Sequence, residues 1–224
     1  YNDCRKRNHV FPPNRDFIAR ELYADKALHL EVAKLKFQFM NNAQALIHGD
    51  LHSGSIFINQ EHTFVFDPEF AFYGPMGYDT GNIIANMFFA WCNGDATIHS
   101  EAEKKEFCGW VLQTIQEIVD KFIVKFQAVY RENVTDVMAD TEGFLEYYLG
   151  EILADTAGVT GLELIRRTDG MANVKDITSI SDEKKRTRAE RIVITLAKDC
   201  IMHRSSFRCG QDYLDAIQRA VEKF

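Results

Sequence analysis

Between residues 45 and 70 the chain departs from the helical periodicity that governs the rest of it. Ser55-Ile56-Phe57-Ile58-Asn59 and Thr63-Phe64-Val65-Phe66 are short runs rich in β-branched and aromatic residues, joined by the polar Gln60-Glu61-His62. That pattern predicts a β-hairpin. Two antiparallel strands of similar length return the chain to the end of the ribbon at which it entered. Asp50, ahead of the first strand, and Asp67, behind the second, are therefore expected to be neighbours. Two converging carboxylates beside a Gly-rich turn are costly unless a cation sits between them. The hairpin alone makes the pair a candidate metal site.

The rest reads as helix. Asn14 is placed to cap a long helix reaching about Asn41, with Phe17, Leu22, Leu28, Val32, Leu35 and Phe39 near helical spacing. Ser100-Glu101-Ala102-Glu103 is a capping box opening a second long helix through Trp110, Ile115, Ile118, Phe122 and Phe126. Further helices are expected near Thr80 and over 142–155, 157–168, 183–204 and 210–223, with a loop from Gly170 to Ser181. No repeat, linker or change of composition divides the 224 residues, so one domain is expected over 1–224.

Composition removes several function classes. Lys plus Arg number 26 against 33 Asp plus Glu, a net charge of −7, which disfavours nucleic acid and anionic membrane surfaces as partners. A 46% hydrophobic share with four prolines excludes a disordered chain. The longest uncharged run, Thr80 to Gly94, is interrupted by Asn82, Asn86 and Asn93; it falls short of the roughly 20 apolar residues of a spanning helix. No apolar stretch follows the N-terminal charges, so no signal peptide is read there. Cys4, Cys92, Cys108, Cys200 and Cys209 are odd in number and widely spaced, without C-x-x-C. They read as reduced thiols, as in a cytoplasmic protein.

The motif around the hairpin is specific. Residues 43–57 (Ala-Gln-Ala-Leu-Ile-His-Gly-Asp-Leu-His-Ser-Gly-Ser-Ile-Phe) and 67–77 (Asp-Pro-Glu-Phe-Ala-Phe-Tyr-Gly-Pro-Met-Gly), with the later Leu164-Ile165-Arg166-Arg167, resemble the methylthioribose kinase family. That family lies within the protein-kinase-like small-molecule phosphotransferases, the superfamily of the aminoglycoside phosphotransferases. The resemblance spans roughly residues 14–224 and corresponds to a C-terminal lobe. It implies an α+β, predominantly helical fold: about seven helices around one catalytic β-hairpin.

Roles follow from the resemblance residue by residue. Asp50 would be the catalytic carboxylate, orienting the acceptor hydroxyl and taking its proton. The acceptor implied is the anomeric 1-hydroxyl of 5-methylthioribose, with ATP as phosphoryl donor, in methionine salvage. Asp67 and Glu69 would hold Mg²⁺ against the ATP phosphates. Ser55 stands where the wider superfamily has a metal-binding Asn, and is a weak ligand candidate. Arg166 and Arg167 would bind sugar hydroxyls or the transferring phosphoryl group. His48 is expected to pack as scaffold of the catalytic loop. Asp79 is expected to support that loop or cap the helix near Thr80.

Blander readings stand beside these. Asp50 and Asp67 could be turn residues and Glu69 a solvated acid, which the joint motif argues against. Neighbouring arginines point about 100° apart on a helix, so at least one of Arg166 and Arg167 is open to a surface or salt-bridge role. His48 and His52 have zinc spacing only on a helix, which Gly49 and the following strand disfavour. Gly49 and Gly54 have P-loop spacing, but Ser55-Ile56 follows where Lys-Ser/Thr is needed.

Fewer than 50 residues precede the catalytic loop and no G-x-G-x-x-G occurs, so an N-terminal lobe covering the nucleotide is expected to be absent from this chain. Residues 1–13 would be the remnant of the inter-lobe connection. Little activity is expected of the lobe alone, since positioning the γ-phosphate depends on both lobes. The other readings are a phosphotransferase for a different small hydroxylated acceptor (a sugar, choline or an aminoglycoside) and an inactive lobe that binds a ligand or partner. A homodimer is implied by the resemblance alone.

Overall fold

The computed structural model describes residues 7–224; Cys4 and the first six residues of the expected 1–13 connection lie outside them. The chain is predominantly helical. A short helix α1 (Arg15–Ile18) widens into a π-turn (Ala19–Tyr23) and is followed by α2 (Lys26–Asn41). Four short strands come next: β1 (Ala45–Ile47), β2 (Ile56–Ile58), β3 (Thr63–Val65) and β4 (Phe72–Gly74). The remainder is α3 (Gly77–Thr97), α4 (Glu101–Asn133), α5 (Phe144–Thr168), the single turn α6 (Lys175–Thr178), α7 (Glu183–Met202) and α8 (Gly210–Val221).

The expected helix from 14 to 41 is two. Asp25 Oδ1 accepts the Leu28 amide at 2.9 Å and so starts α2 afresh. Asn14 does not cap α1. Its side chain is wholly buried and is spent on α7: Nδ2 donates to Thr187 O and Glu190 Oε2, and Oδ1 accepts from Arg191 Nε. Ser100 does cap α4, accepting the Glu103 amide. The two helices expected over 142–155 and 157–168 are one continuous α5. The glycines inside it weaken a free helix but admit neighbours: a Cβ at Gly158 would meet Leu35 at 2.5 Å, and one at Gly161 would meet the Ala197 carbonyl at 2.5 Å. The loop from Gly170 to Ser181 contains α6.

The expected hairpin is present as β2–β3, with Ile56 opposite Val65 and Ile58 opposite Thr63. It is nested within a second antiparallel pair, where Ala45 faces Gly74, Leu46 faces Tyr73 and Ile47 faces Phe72 across β1–β4. The expectation of a single hairpin is thereby corrected, because β1–β4 is a non-local pairing of two three-residue strands. It closes the neck of an excursion running from residue 48 to 71.

The core lies among the helices. Phe88, Ile84, Val111, Ile115, Leu164, Val193, Leu196 and Ala197 are fully buried within it. Cys92 and Cys200 are part of this core, and burial pushes both thiols far up. All four described cysteines are free.

The packing of α3 on α5 positions the site. A Cβ at Gly77 would stand 2.5 Å from the Thr156 amide, and one at Gly81 would stand 2.7 Å from the Thr156 carbonyl and 3.0 Å from the Thr160 amide. Two glycines one turn apart therefore bring the backbones nearly into contact. Thr160 Oγ1 donates across the seam to Gly81 O at 3.2 Å, and also to Thr156 O within its own helix. Gly77 meeting Thr156 and Gly81 meeting Thr160 make the two helices run in the same direction.

Candidate active site

Asp50 sits on the loop that leaves β1, and the backbone of that loop is fixed from two sides. Asp79, in the first turn of α3, accepts the His48 amide at Oδ2 (2.6 Å) and the Gly49 amide at Oδ1 (3.0 Å). The first turn of a helix favours a carboxylate, and here both its oxygens are used on the loop. Of the two roles expected for Asp79, loop support is the one observed. Helix α3 begins at Gly77, ahead of the expected start near Thr80.

On the other side is His48. Its Nδ1 lies 3.4 Å from the Asp50 amide and its Nε2 lies 2.9 Å from the Phe66 carbonyl. An amide can only donate and a carbonyl can only accept. Both contacts therefore demand the neutral ring with its hydrogen on Nε2. One imidazole ties the Asp50 loop to the residue that precedes Asp67.

Gly49 completes the junction. It has φ +83°, and a Cβ there would lie 2.3 Å from the Phe70 carbonyl. The turn carrying Asp67 and Glu69, closed by a hydrogen bond from the Ala71 amide to Pro68 O at 3.0 Å, thus lies directly on the Asp50 loop. The hairpin returns the two aspartate-bearing segments to one end of the ribbon.

Asp67 has φ +67°, a left-handed conformation that costs a non-glycine residue about 1–3 kcal/mol and concentrates at functional sites. Asp67 and Glu69 are both exposed. Among the described residues no three His, Cys, Asp or Glu side chains converge to hold a metal. Two carboxylates on one tight turn form an incomplete oxygen set. Such a set suits a hard cation that takes its remaining ligands from phosphate and water. Ser55 is buried, its carbonyl accepts the Phe66 amide, and its Oγ lies 3.4 Å from His52 Nε2. His52 Nε2 is also 3.9 Å from Asp50 Oδ2. The two histidines thus face different partners from an extended loop.

The loop's outer end rests on α3, where Ser53 Oγ meets Asn86 Oδ1 at 3.3 Å. Along the α3–α5 seam, the turn of α5 carrying Glu163, Arg166 and Arg167 follows next after Thr160. Arg166 and Arg167 both pair with Glu163, so the salt-bridge role left open for one of them applies to both. Burial opposes the Arg166 charge, but the Glu163 hydrogen bond and the negative charges of Glu163 and Asp50 outweigh it and hold the guanidinium above its usual range. Burial pushes the Tyr78 phenol up, with Arg166, Glu163, Asn82 and Asp50 all close enough to act on it. Asp50, Tyr78 and Arg166 therefore share one electrostatic neighbourhood.

Two members escaped the sequence reading. Glu163 was detectable as an acid three and four residues ahead of the arginine pair. Tyr78 carried no comparable signal beyond standing next to Asp79.

A model of the phosphotransferase enzyme family matches residues 3–105, which include the Asp50 loop and the Asp67 turn. Methylthioribose kinase of Geobacillus sp. (strain WCH70) is 40% identical over 200 residues, covering 89% of this chain and 48% of the relative. The chain is similar to methylthioribose kinases. Methylthioribose kinase 1 of Oryza sativa subsp. japonica is 35% identical over 216 residues, covering 90% of this chain and 50% of the relative. The methylthioribose kinase of Yersinia pseudotuberculosis serotype O:1b (strain IP 31758) is 39% identical over 183 residues, 81% of this chain and 44% of the relative. The chain spans about half the length of the curated relatives it matches. No helix among the described residues is long and apolar enough to cross a membrane.

Proposed function

We propose that this chain carries the acceptor site and catalytic carboxylate of an ATP-dependent kinase that phosphorylates the 1-hydroxyl of 5-methylthioribose, in cytoplasmic methionine salvage. The observation that carries the reading is the double clamp on the Asp50 loop. Asp79 holds two of its amides and His48 ties it to the strand end at Phe66, while the Asp50 charge helps to hold the Arg166 guanidinium protonated. A carboxylate held this way is suited to orienting a hydroxyl and accepting its proton.

As the sugar oxygen bonds to the γ-phosphorus, the bond to the ADP oxygen breaks and the hydroxyl proton passes to Asp50. Arg166 and Arg167 supply fixed positive charge for sugar hydroxyls or the transferring phosphoryl group. Asp67 and Glu69 would hold Mg²⁺, which when bound neutralises charge on the nucleotide phosphates. The 224 residues alone are proposed to turn over slowly, with a second lobe needed to place the γ-phosphate.

Calorimetric titration of 5-methylthioribose into the chain, with and without Mg²⁺ and a non-hydrolysable ATP analogue, tests the reading. Saturable binding that Arg166→Ala weakens, and that Asp50→Asn alters in the presence of the nucleotide, is expected. A folded chain that binds no 5-methylthioribose under either condition, or robust binding indifferent to both substitutions, overturns it.

A further inference from the structure

We infer that Glu163 is a positioning residue: one buried carboxylate that aims both Arg166 and Arg167 at the acceptor. The inference rests on the reading that the arginine pair binds the acceptor, and it adds what makes that pair usable. Consecutive arginines leave a helix about 100° apart on long, flexible stems, so neither is pointed by the backbone alone.

Glu163 lies three residues before one and four before the other, the two spacings that share a helix face. Its Oε2 accepts Arg166 Nε at 2.7 Å; its Oε1 accepts both Arg166 Nη2 at 3.1 Å and Arg167 Nε at 2.9 Å. One carboxylate gathers two diverging guanidinium groups.

Exposure separates this from an ordinary surface ion pair. The Glu163 side chain is 6% exposed, whereas those of Arg166 and Arg167 are 49% and 23% exposed. The carboxylate lies beneath and the cations face outward. Both arginines are gripped by the Nε edge, which leaves Nη1 of Arg166 and both terminal nitrogens of Arg167 without a protein partner among the described residues. These are the nitrogens suited to bidentate contact with an oxygen-rich ligand.

Placement argues the same way. Glu163 lies inside α5, ahead of its last turn, where the helix dipole lends an acid no support. A buried acid there has no benefit from the helix itself, only from the two arginines. One negative charge against two positive ones leaves the cluster with a net positive charge, held one turn beyond the Thr160–Gly81 contact, with the Asp50 charge acting on Arg166.

The test is a double-mutant cycle on the full chain. The affinity for 5-methylthioribose is measured in the presence of Mg²⁺ and a non-hydrolysable ATP analogue, for wild type, Glu163→Gln, Arg166→Ala and the double variant. Urea midpoints and nucleotide affinity are followed in parallel. Glu163→Gln keeps the shape and loses the charge. It is expected to weaken 5-methylthioribose binding about tenfold or more while leaving nucleotide affinity unchanged, and to cost less in the Arg166→Ala background than alone, the remainder being its hold on Arg167.

Should Glu163→Gln fail to fold, Glu163→Asp keeps the charge but withdraws it by one methylene, and is expected to weaken acceptor binding with the nucleotide affinity intact. If Arg166→Ala weakens binding but neither Glu163 variant does, or if the two effects simply add, the inference is overturned while the arginine reading stands. If wild type does not bind, or Arg166→Ala changes nothing, the acceptor reading fails and takes this inference with it.

Discussion

Adding one methyl group to a helix has opposite consequences at two glycines of this chain. Gly109 lies in the exposed interior of α4 with nothing within 4 Å of an added Cβ. Alanine there gains helix propensity of about 1 kcal/mol at no steric cost. Gly81 is also inside a helix and would gain the same amount. Its Cβ, however, would lie 2.7 Å from the Thr156 carbonyl, 2.8 Å from Val159 Cβ and 3.0 Å from the Thr160 amide.

Two of these three obstacles are backbone, so no side-chain rotation relieves them and α3 must move away from α5. Overpacking of this kind costs about 1–3 kcal/mol. The Thr160–Gly81 hydrogen bond, lost as the seam opens, adds about 1 kcal/mol. After subtracting the propensity gain, Gly81→Ala is expected to destabilise by about 1–3 kcal/mol, while Gly109→Ala stabilises by about 1 kcal/mol. For a chain of this size each kcal/mol moves the thermal midpoint by roughly 2–4 °C, so the two variants should part by at least about 4 °C on opposite sides of wild type. Thermal unfolding followed by circular dichroism at 222 nm measures this directly. A midpoint for Gly81→Ala at or above that of Gly109→Ala refutes the claim that close backbone contact sets the position of α5.

Two further outcomes test the loop and the core. Asp79→Asn leaves one side-chain oxygen for two loop amides and removes the charge, an expected loss of about 1.5–3 kcal/mol; amide exchange at His48 and Gly49 should accelerate at least about tenfold with core amides unchanged, and equal protection in the variant contradicts the clamp. Asp155 is 4% exposed, with Asn42 Nδ2 at 3.4 Å, and burial first of all raises its pKa from 3.8 to about 6. A carboxyl raised in the folded state binds more protons there than in the unfolded state, so stability falls as pH rises from about 4 to about 6 and stays lower above. The difference corresponds to about 3 kcal/mol. Asp155→Asn should therefore raise the urea midpoint at pH 8 and leave it nearly unchanged at pH 4; a gain of equal size at both values contradicts the assignment.

Legibility in the sequence followed the range of the interactions. The β2–β3 hairpin and the convergence of the Asp50 and Asp67 segments were readable because strand pattern and turn are local. The β1–β4 pair was not: Ala45-Leu46-Ile47 is too short to carry a period, and its partner lies beyond the whole excursion. The restart at Asp25 was hidden because apolar residues continue at helical spacing across it, with neither Gly nor Pro to mark the break. Asn14 looked like a cap, yet its side chain turns inward to Glu190 and Arg191, a choice made by tertiary contacts. The break expected between 155 and 157 does not occur, and the glycines of α5 do not impose one either, because propensity is a property of the isolated helix. Leu35 and Ala197, packed onto those glycines, override it.

The nesting of one hairpin inside another separates the fate of the chemistry from the fate of the fold. Everything from His48 to Ala71 is tied to the rest of the chain by three residue pairs at the neck, the Asp79 clamp and the Ser53–Asn86 contact, while the apolar core lies in the helices. Closing a loop of this length costs about 3 kcal/mol of chain entropy beyond a constant, offset by a short ladder and the Asp79 and His48 clamps. Such an excursion is the natural candidate for sub-global opening. Opening of this kind would release the segment from His48 to Ala71 while the helical body stays folded. Far-ultraviolet dichroism, dominated by helix, would record a protein at rest while the Asp50 loop and the Asp67 turn came apart.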